Sequence, residues 1–173
     1  VKEIGGNRRA EKVLLSDGAE IKADVVLLGI GAVANVDLAK QAGLRIGLTG
    51  SIAVDRTMQT SDANIYACGD CAEKISFFGG RPSPLKLASI ATLEARIAGA
   101  NLFCIRRENI GTVGVWSTAV GNHALATAGL TEEMAKKRGY DVVAVTIQGP
   151  NRHPGLMPGA ANTMVKLVFE RNS

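Results

Sequence analysis

The sequence predicts an α/β fold in its first part and an α+β fold from about Asn109 onward. Up to residue 108, short apolar runs typical of strands alternate with helical segments. Beyond that point strand-like sequence surrounds one helix. The 173 residues are 46% hydrophobic and 21% charged, the composition of an ordinary globular protein long enough to bury a core.

The first part begins with a hairpin. Asp17-Gly18 is a turn signal between residues 13–15 and 19–22, and the continuous apolar run at 25–28 predicts a buried strand. Further along the chain we expect a short helix that ends at Gly43 and then two strands, at residues 51–55 and 65–68.

The longest helical stretch covers residues 85–105. Its predicted buried stripe consists of Leu87, Ile90, Ala91, Leu93, Ala95, Ile97 and Ala98. Loose alternation over residues 112–130 predicts antiparallel strands. A helix then follows with Thr131 as its cap and Gly139 as its end, and the last predicted strands are residues 141–149 and 162–171.

Composition excludes several classes of function. The net charge of +4 comes from scattered basic residues without interleaved aromatic side chains, so we expect no nucleic-acid partner. No apolar run reaches the roughly 18 residues of a membrane span. Three cysteines cannot all pair within one chain, which favours a reducing, cytoplasmic location.

Cys68 and Cys71 form a C-x-x-C pair around Gly69 and Asp70. A redox dithiol needs a lowered thiol pKa, yet Asp70 would raise it. A zinc site needs four ligands, and Cys104 and the two histidines are distant. We therefore favour the interpretation in which both cysteines merely flank Gly-Asp, with redox and metal roles as the alternatives.

Two glycine-containing segments suggest ligand binding. Gly29, Gly31 and Ala34 match G-x-G-x-x-A after a strand, a weak dinucleotide signature because the following helix is short. Asp70 follows a predicted strand and Gly69, where an α/β sheet binds ligands, although an Asp that caps a turn would look the same.

The start of the long helix is a third candidate site. Free N–H groups of Lys86, Leu87 and Ala88 would form an anion-binding end. An ordinary helix start would show the same pattern.

Longer motifs carry a family resemblance. The segments "DVVLLGIGAVANVDLAKQAGLRI", "GSIAVDRTMQTSDANIYACGDCAE", "LASIATLEARIAGANL" and "GLTEEMAKKRGY" resemble the FAD-dependent pyridine nucleotide–disulfide oxidoreductases. The nearest group includes coenzyme A-disulfide reductases, NADH oxidases and persulfide reductases. The resemblance covers nearly the whole chain.

The resemblance implies cofactors and residue roles. Asp70 would hold the ribityl chain of FAD, Gly69 would give access to the backbone, and Leu87 and Ala88 would place N–H groups near the flavin. Gly31 would lie near the nicotinamide of NAD(P)H. The parent enzyme would pass a hydride through FAD to a small-molecule acceptor (a disulfide, a persulfide or oxygen), and the working cysteine of the family would lie upstream of this chain.

The resemblance also implies a domain organisation. Residues 1–49 would end an NAD(P)-binding domain, 50–108 would be the second segment of the FAD-binding domain, and 109–173 would be an incomplete dimerisation domain that forms a homodimer. The two nucleotide-binding G-x-G-x-x-G loops are absent, and Leu156 and Met157 stand where the disulfide reductases carry tyrosines.

We therefore expect a carboxyl-terminal fragment that lacks its upstream half and is inactive alone. The alternative is a non-catalytic nucleotide-binding or protein-interaction module.

Overall fold

The computed structural model describes residues 1–171, and the chain divides into two units, the first being Val1–Val33. The first unit is a three-stranded antiparallel sheet of β1 (Glu3–Gly5), β2 (Lys12–Leu14) and β3 (Glu20–Lys22). In its centre Val13 pairs with Ile4 on one side and with Ile21 on the other. The predicted hairpin is confirmed, and β1 is an additional strand.

The prediction of a buried strand at residues 25–28 is wrong for this unit. Val25 is 84% exposed and Leu27 is 93% exposed, and none of the described strands pairs with the segment. A continuous apolar run becomes a buried strand only where neighbouring strands and layers cover both of its faces. The first unit supplies no such cover.

The second unit begins at Ala34 and mixes helices with short antiparallel strands. Three two-stranded sheets are present in the described part, and they pair β4 with β5, β6 with β7 and β8 with β9. In chain order the elements are α1 (Asp37–Gln41), a 3-10 turn (Gly69–Cys71), β4 (Lys74–Ile75), β5 (Pro82–Ser83), α2 (Ala88–Asn101), β6 (Val115–Val120), β7 (His123–Ala128), α3 (Glu132–Lys137), β8 (Val142–Pro150) and β9 (Asn162–Glu170).

The core of this unit lies between α1, α2 and the chain from Ile52 to Ala72. The prediction of strands at residues 51–55 and 65–68 is wrong for the described chain, in which each segment forms only isolated β-bridges, such as the parallel bridge of Ile52 with Ala72. The buried cluster consists of Val36, Ala39, Ile52, Met58, Ala67, Ala72, Ile97 and Ala98.

The observed helix α2 is shorter than the predicted one, and its buried face differs in part from the predicted buried stripe. Leu93 is 52% exposed, whereas Glu94 is fully buried. Ile90, Glu94 and Ile97 share one helical face, so a charged residue occupies the centre of the apolar stripe.

Buried Asn101 ends α2. Its Nδ2 donates to the carbonyls of Thr57 (3.0 Å) and Arg107 (2.7 Å), and its Oδ1 accepts from the backbone N–H groups of Arg106 and Arg107. One side chain thus pairs the backbone groups of two loops, which would otherwise lack partners at the end of the helix.

The carboxyl-terminal elements match the sequence prediction. Thr131 caps α3 by accepting a hydrogen bond from the Met134 N–H at 3.2 Å, and Gly139 has a φ of 87° where the helix ends. β8 and β9 pair over their full length, from Val142 opposite Glu170 to Pro150 opposite Asn162.

Candidate functional site

The Gly69–Cys71 turn projects Asp70 from the edge of the core. Ile52 fixes the turn from one side, because its N–H donates to the Cys71 carbonyl at 2.7 Å and its carbonyl accepts from the Glu73 N–H at 2.8 Å. Gly69 has a φ of 81°, a conformation that glycine adopts without strain. The Asp70 carboxylate at the tip is exposed and free to accept hydrogen bonds from a ligand.

A buried ion pair holds the same turn from below. Glu94 Oε2 accepts from the Gly69 N–H at 2.9 Å and pairs with Lys74 Nζ at 3.0 Å. Lys74 Nζ also donates to the carbonyls of Gly69 and of Ala72, the latter at 3.0 Å. The two charged side chains are 2% and 0% exposed.

The start of α2 lies beside the turn. A Cβ placed on Gly69 would meet the Cβ of Ala91, in the first turn of the helix, at 3.7 Å. Ala88 is the first helical residue, and Leu87 is the residue before it, whose carbonyl accepts from the Ala91 N–H. No side chain of the described chain caps this helix, so the positive end of its dipole is not neutralised by an internal cap. The structure thus brings Gly69 and Asp70 close to the start of α2.

The two cysteines of the turn are free thiols. Burial raises the pKa of the Cys68 thiol, and the neighbouring Cys71 and the Glu94 carboxylate raise it further. Cys71 Sγ lies 3.5 Å from the Cys68 carbonyl. A raised pKa opposes thiolate chemistry at Cys68 at neutral pH, which favours the interpretation in which this cysteine flanks Asp70 without reacting.

Gly31 belongs to the first unit, whereas the Gly69–Cys71 turn belongs to the second. It is exposed with a φ of 82°, and a Cβ built on it would contact nothing within 4 Å. The backbone conformation rather than lack of space accounts for glycine at this position.

Two structural features are absent from residues 1–171. No group of three or more His, Cys, Asp or Glu side chains is placed to hold a metal ion. No helix in this part of the chain is long and apolar enough to cross a membrane.

Comparison with protein families gives two matches. Residues 1–95 match "Pyridine nucleotide-disulphide oxidoreductase", and residues 115–173 match "Pyridine nucleotide-disulphide oxidoreductase, dimerisation domain". The chain belongs to the pyridine nucleotide-disulphide oxidoreductase family. The resemblance inferred from the sequence is confirmed.

Individual proteins that are similar to this chain support the same family assignment. A CoA-dependent NAD(P)H sulfur oxidoreductase of Pyrococcus furiosus is 38% identical over 98% of this chain, and an NADH oxidase of Methanocaldococcus jannaschii is 28% identical over 99%. The solved structure of a NAD-dependent persulfide reductase from A. fulgidus superposes with a TM-score of 0.84 at 35% identity, over 93% of this chain and 30% of that one. The chain spans 38% of the length of the two curated relatives.

Sequence reasoning missed Lys74 and Glu94 within this family fold. Glu94 is three residues before Ile97 and four after Ile90, so helical spacing could have placed it on the buried face, although the predicted stripe did not include it. Lys74 had no such signal, because its burial depends on a contact with Glu94, twenty residues away in the sequence.

Proposed function

We propose that this chain is the carboxyl-terminal part of an oxidoreductase that passes a hydride from NAD(P)H through FAD to a disulfide, persulfide or oxygen acceptor. The observation that carries the proposal is the exposed Asp70 carboxylate beside the uncapped start of α2, in a chain of the pyridine nucleotide-disulphide oxidoreductase family. When bound, FAD supplies a ring that accepts a hydride and passes electrons on.

The residues of the turn fit a flavin. Asp70 would accept hydrogen bonds from the ribityl hydroxyls, and Gly69 would let that chain approach the backbone, since no Cβ stands there. The Ala88 end of α2, with Leu87 before it, would favour negative charge on the nearby ring. These side chains and dipoles bind and orient the cofactor.

We place the nicotinamide of NAD(P)H near Gly31. The exposed backbone at this glycine supports a close approach by a flat ring. The domain boundaries after residues 49 and 108 remain predictions, as does the cytoplasmic location, which the three free cysteines support.

The electron acceptor and the rest of the enzyme belong to the same proposal. Similarity to a sulfur oxidoreductase and a persulfide reductase supports a sulfur-containing acceptor, and the NADH oxidase keeps oxygen as a candidate. Because the chain covers 38% of such relatives, we propose an upstream half that supplies the remaining FAD contacts and the working cysteine. The chain alone would be inactive.

An Asp70→Ala substitution in the native protein that carries this sequence tests the proposal. Loss of a charged hydrogen-bond acceptor costs about 1.5–3 kcal/mol, so we expect the Kd for FAD to rise at least about tenfold. FAD titration followed by flavin fluorescence measures this, with the circular dichroism spectrum as the check on folding. Exposed Asp24→Ala is the matched control and leaves the Kd unchanged.

Two results would contradict the proposal. An unchanged Kd in Asp70→Ala would remove the role of Asp70. A native protein without a visible flavin spectrum, and with no affinity for added FAD, would favour a non-catalytic module instead.

A further inference from the structure

The peptide groups of Gly69 are held on both sides by one buried ion pair. The N–H of Gly69 donates to Glu94 Oε2 at 2.9 Å, and its carbonyl accepts from Lys74 Nζ. Lys74 Nζ uses its remaining two donors on Glu94 and on the Ala72 carbonyl. The turn is therefore tied at once to α2, through Glu94, and to β4, through Lys74.

Folding stability alone does not explain why an ion pair is buried at this position. Removing two charges from water costs several kcal/mol per ion, and well-packed apolar residues in such places often give equal or greater stability. In addition, Glu94 Oε1 is buried without a hydrogen-bond partner in the described chain, which lowers stability further. What the pair provides is directional: three hydrogen bonds to the backbone of Gly69 and Ala72, and a fourth that joins the two side chains to each other.

We propose that Lys74 and Glu94 are positioning residues that fix the orientation of the Gly69–Cys71 turn, so that the Asp70 carboxylate faces the flavin beside the start of α2. The inference rests on the proposed FAD site. Glu94 lies near the middle of the same helix whose beginning faces Gly69, so the ion pair sets the turn relative to that helix. Neither side chain reaches solvent, so both act through the backbone of the turn.

The first experiment replaces the pair by Lys74→Met/Glu94→Met in the native protein. The two apolar side chains remove both buried charges together, which avoids leaving one charge unpaired. We expect a folded protein whose Kd for FAD is at least tenfold higher. The conservative Lys74→Gln/Glu94→Gln also removes both charges but keeps a donor and an acceptor for the backbone of Gly69, so its Kd stays within threefold of wild type.

A mutant cycle separates positioning from general destabilisation. If the pair acts through Asp70, adding the Met pair to Asp70→Ala raises the Kd by less than threefold, because the contact that it positions is already gone. Full additivity of the two effects, or a wild-type Kd in the folded Met pair, would overturn the inference. Should the Met pair fail to fold, Lys74→Met/Glu94→Gln, which also leaves no buried charge unpaired, replaces it in the same cycle.

The controls keep the two proposals apart. The exposed pair Lys137 and Glu133, converted to Met in the same way, should leave the Kd for FAD unchanged. If Asp70→Ala alone has no effect, the FAD site itself is wrong. If Asp70→Ala weakens FAD binding and the Met pair does not, the site stands and only the positioning role fails.

Discussion

Asp70 and its neighbours differ in how well a single sequence reveals them. The Gly69-Asp70 step could be predicted because its glycine and its carboxylate are adjacent in the sequence. Of the ion pair beneath it, only one residue has a signal in the sequence. Helical spacing indicates that Glu94 is buried but does not identify the residue that pairs with it. Burial of Lys74 depends on a contact between distant segments, which no local pattern encodes.

The thiols of Cys68, Cys71 and Cys104 should react in an order set by burial and pKa. Cys104 is exposed, whereas Cys68 is partly buried with a raised pKa. Alkylation with iodoacetamide at pH 7, followed by peptide mass spectrometry, should therefore modify Cys104 first and Cys68 several-fold more slowly. Raising the pH toward the elevated pKa of Cys68 should reduce the difference in alkylation rate between Cys104 and Cys68, because more of the Cys68 thiol becomes thiolate.

A Cys68→Ser/Cys71→Ser variant decides whether this C-x-x-C pair takes part in turnover. As flanking residues they are dispensable, so NAD(P)H oxidation by the native protein should stay within about threefold of wild type, compared with a loss of about a thousandfold or more when a reacting nucleophile is removed. Cys104→Ser is the matched control. A large loss confined to the double variant would restore the redox interpretation.

At the scale of elements, the sequence predicts a helix or strand reliably where the residues that determine it lie within the element's own segment. The cap and end of α3 and the alternation of β6 to β9 lie within their own segments, and these elements form as predicted. The run at residues 25–28 carries a strand signal, but its burial depends on layers that the first unit lacks. Local pattern thus predicts an element reliably only where the partners that the element needs lie in the same segment or the same hairpin.

Helix α3 contains an electrostatic contact that makes its stability depend on pH. Glu132 pairs with Lys136 within the helix and with Lys166 of β9, both at 2.5 Å. These contacts lower the pKa of Glu132 from 4.5 to about 2, so the folded state holds the carboxylate charged where the unfolded chain would protonate it. The contribution is present above about pH 4.5 and is lost as the pH falls through about 2.

The measurement is the Tm of wild type and of Glu132→Gln between pH 6 and pH 2. We expect wild type to be the more stable protein at pH 6 and the difference to shrink as the pH falls, because Gln at this position does not titrate. Glu133→Gln is the control, since Glu133 pairs only with Lys137 among the described salt bridges. A constant difference between wild type and Glu132→Gln across the range would contradict the prediction.

For the whole molecule, the outstanding feature is an uncovered apolar face on the β8–β9 hairpin. Alternate residues share a face, and the register places three apolar pairs opposite one another: Val143 with Phe169, Val145 with Leu167 and Ile147 with Val165. Each of the six side chains is at least 38% exposed. An apolar face of this kind marks an interaction site, and the match of residues 115–173 to a dimerisation domain supports a second copy as its partner.

A charged pair at the centre of this apolar face tests the homodimer. Val145→Glu/Leu167→Lys puts opposite charges directly across the two strands, so the hairpin keeps a favourable pair while the face loses its apolar character. Sedimentation equilibrium of the native protein should show a dimer for wild type and at least about tenfold weaker association for the variant, equivalent to about 1.4 kcal/mol.

The matched control carries the same charges on the opposite face, as Gln148→Glu/Met164→Lys, and should remain dimeric. A monomeric wild type would remove the homodimer. Equal association of both variants would move the interface away from this face, because burying charges between two copies carries a desolvation cost of several kcal/mol per ion.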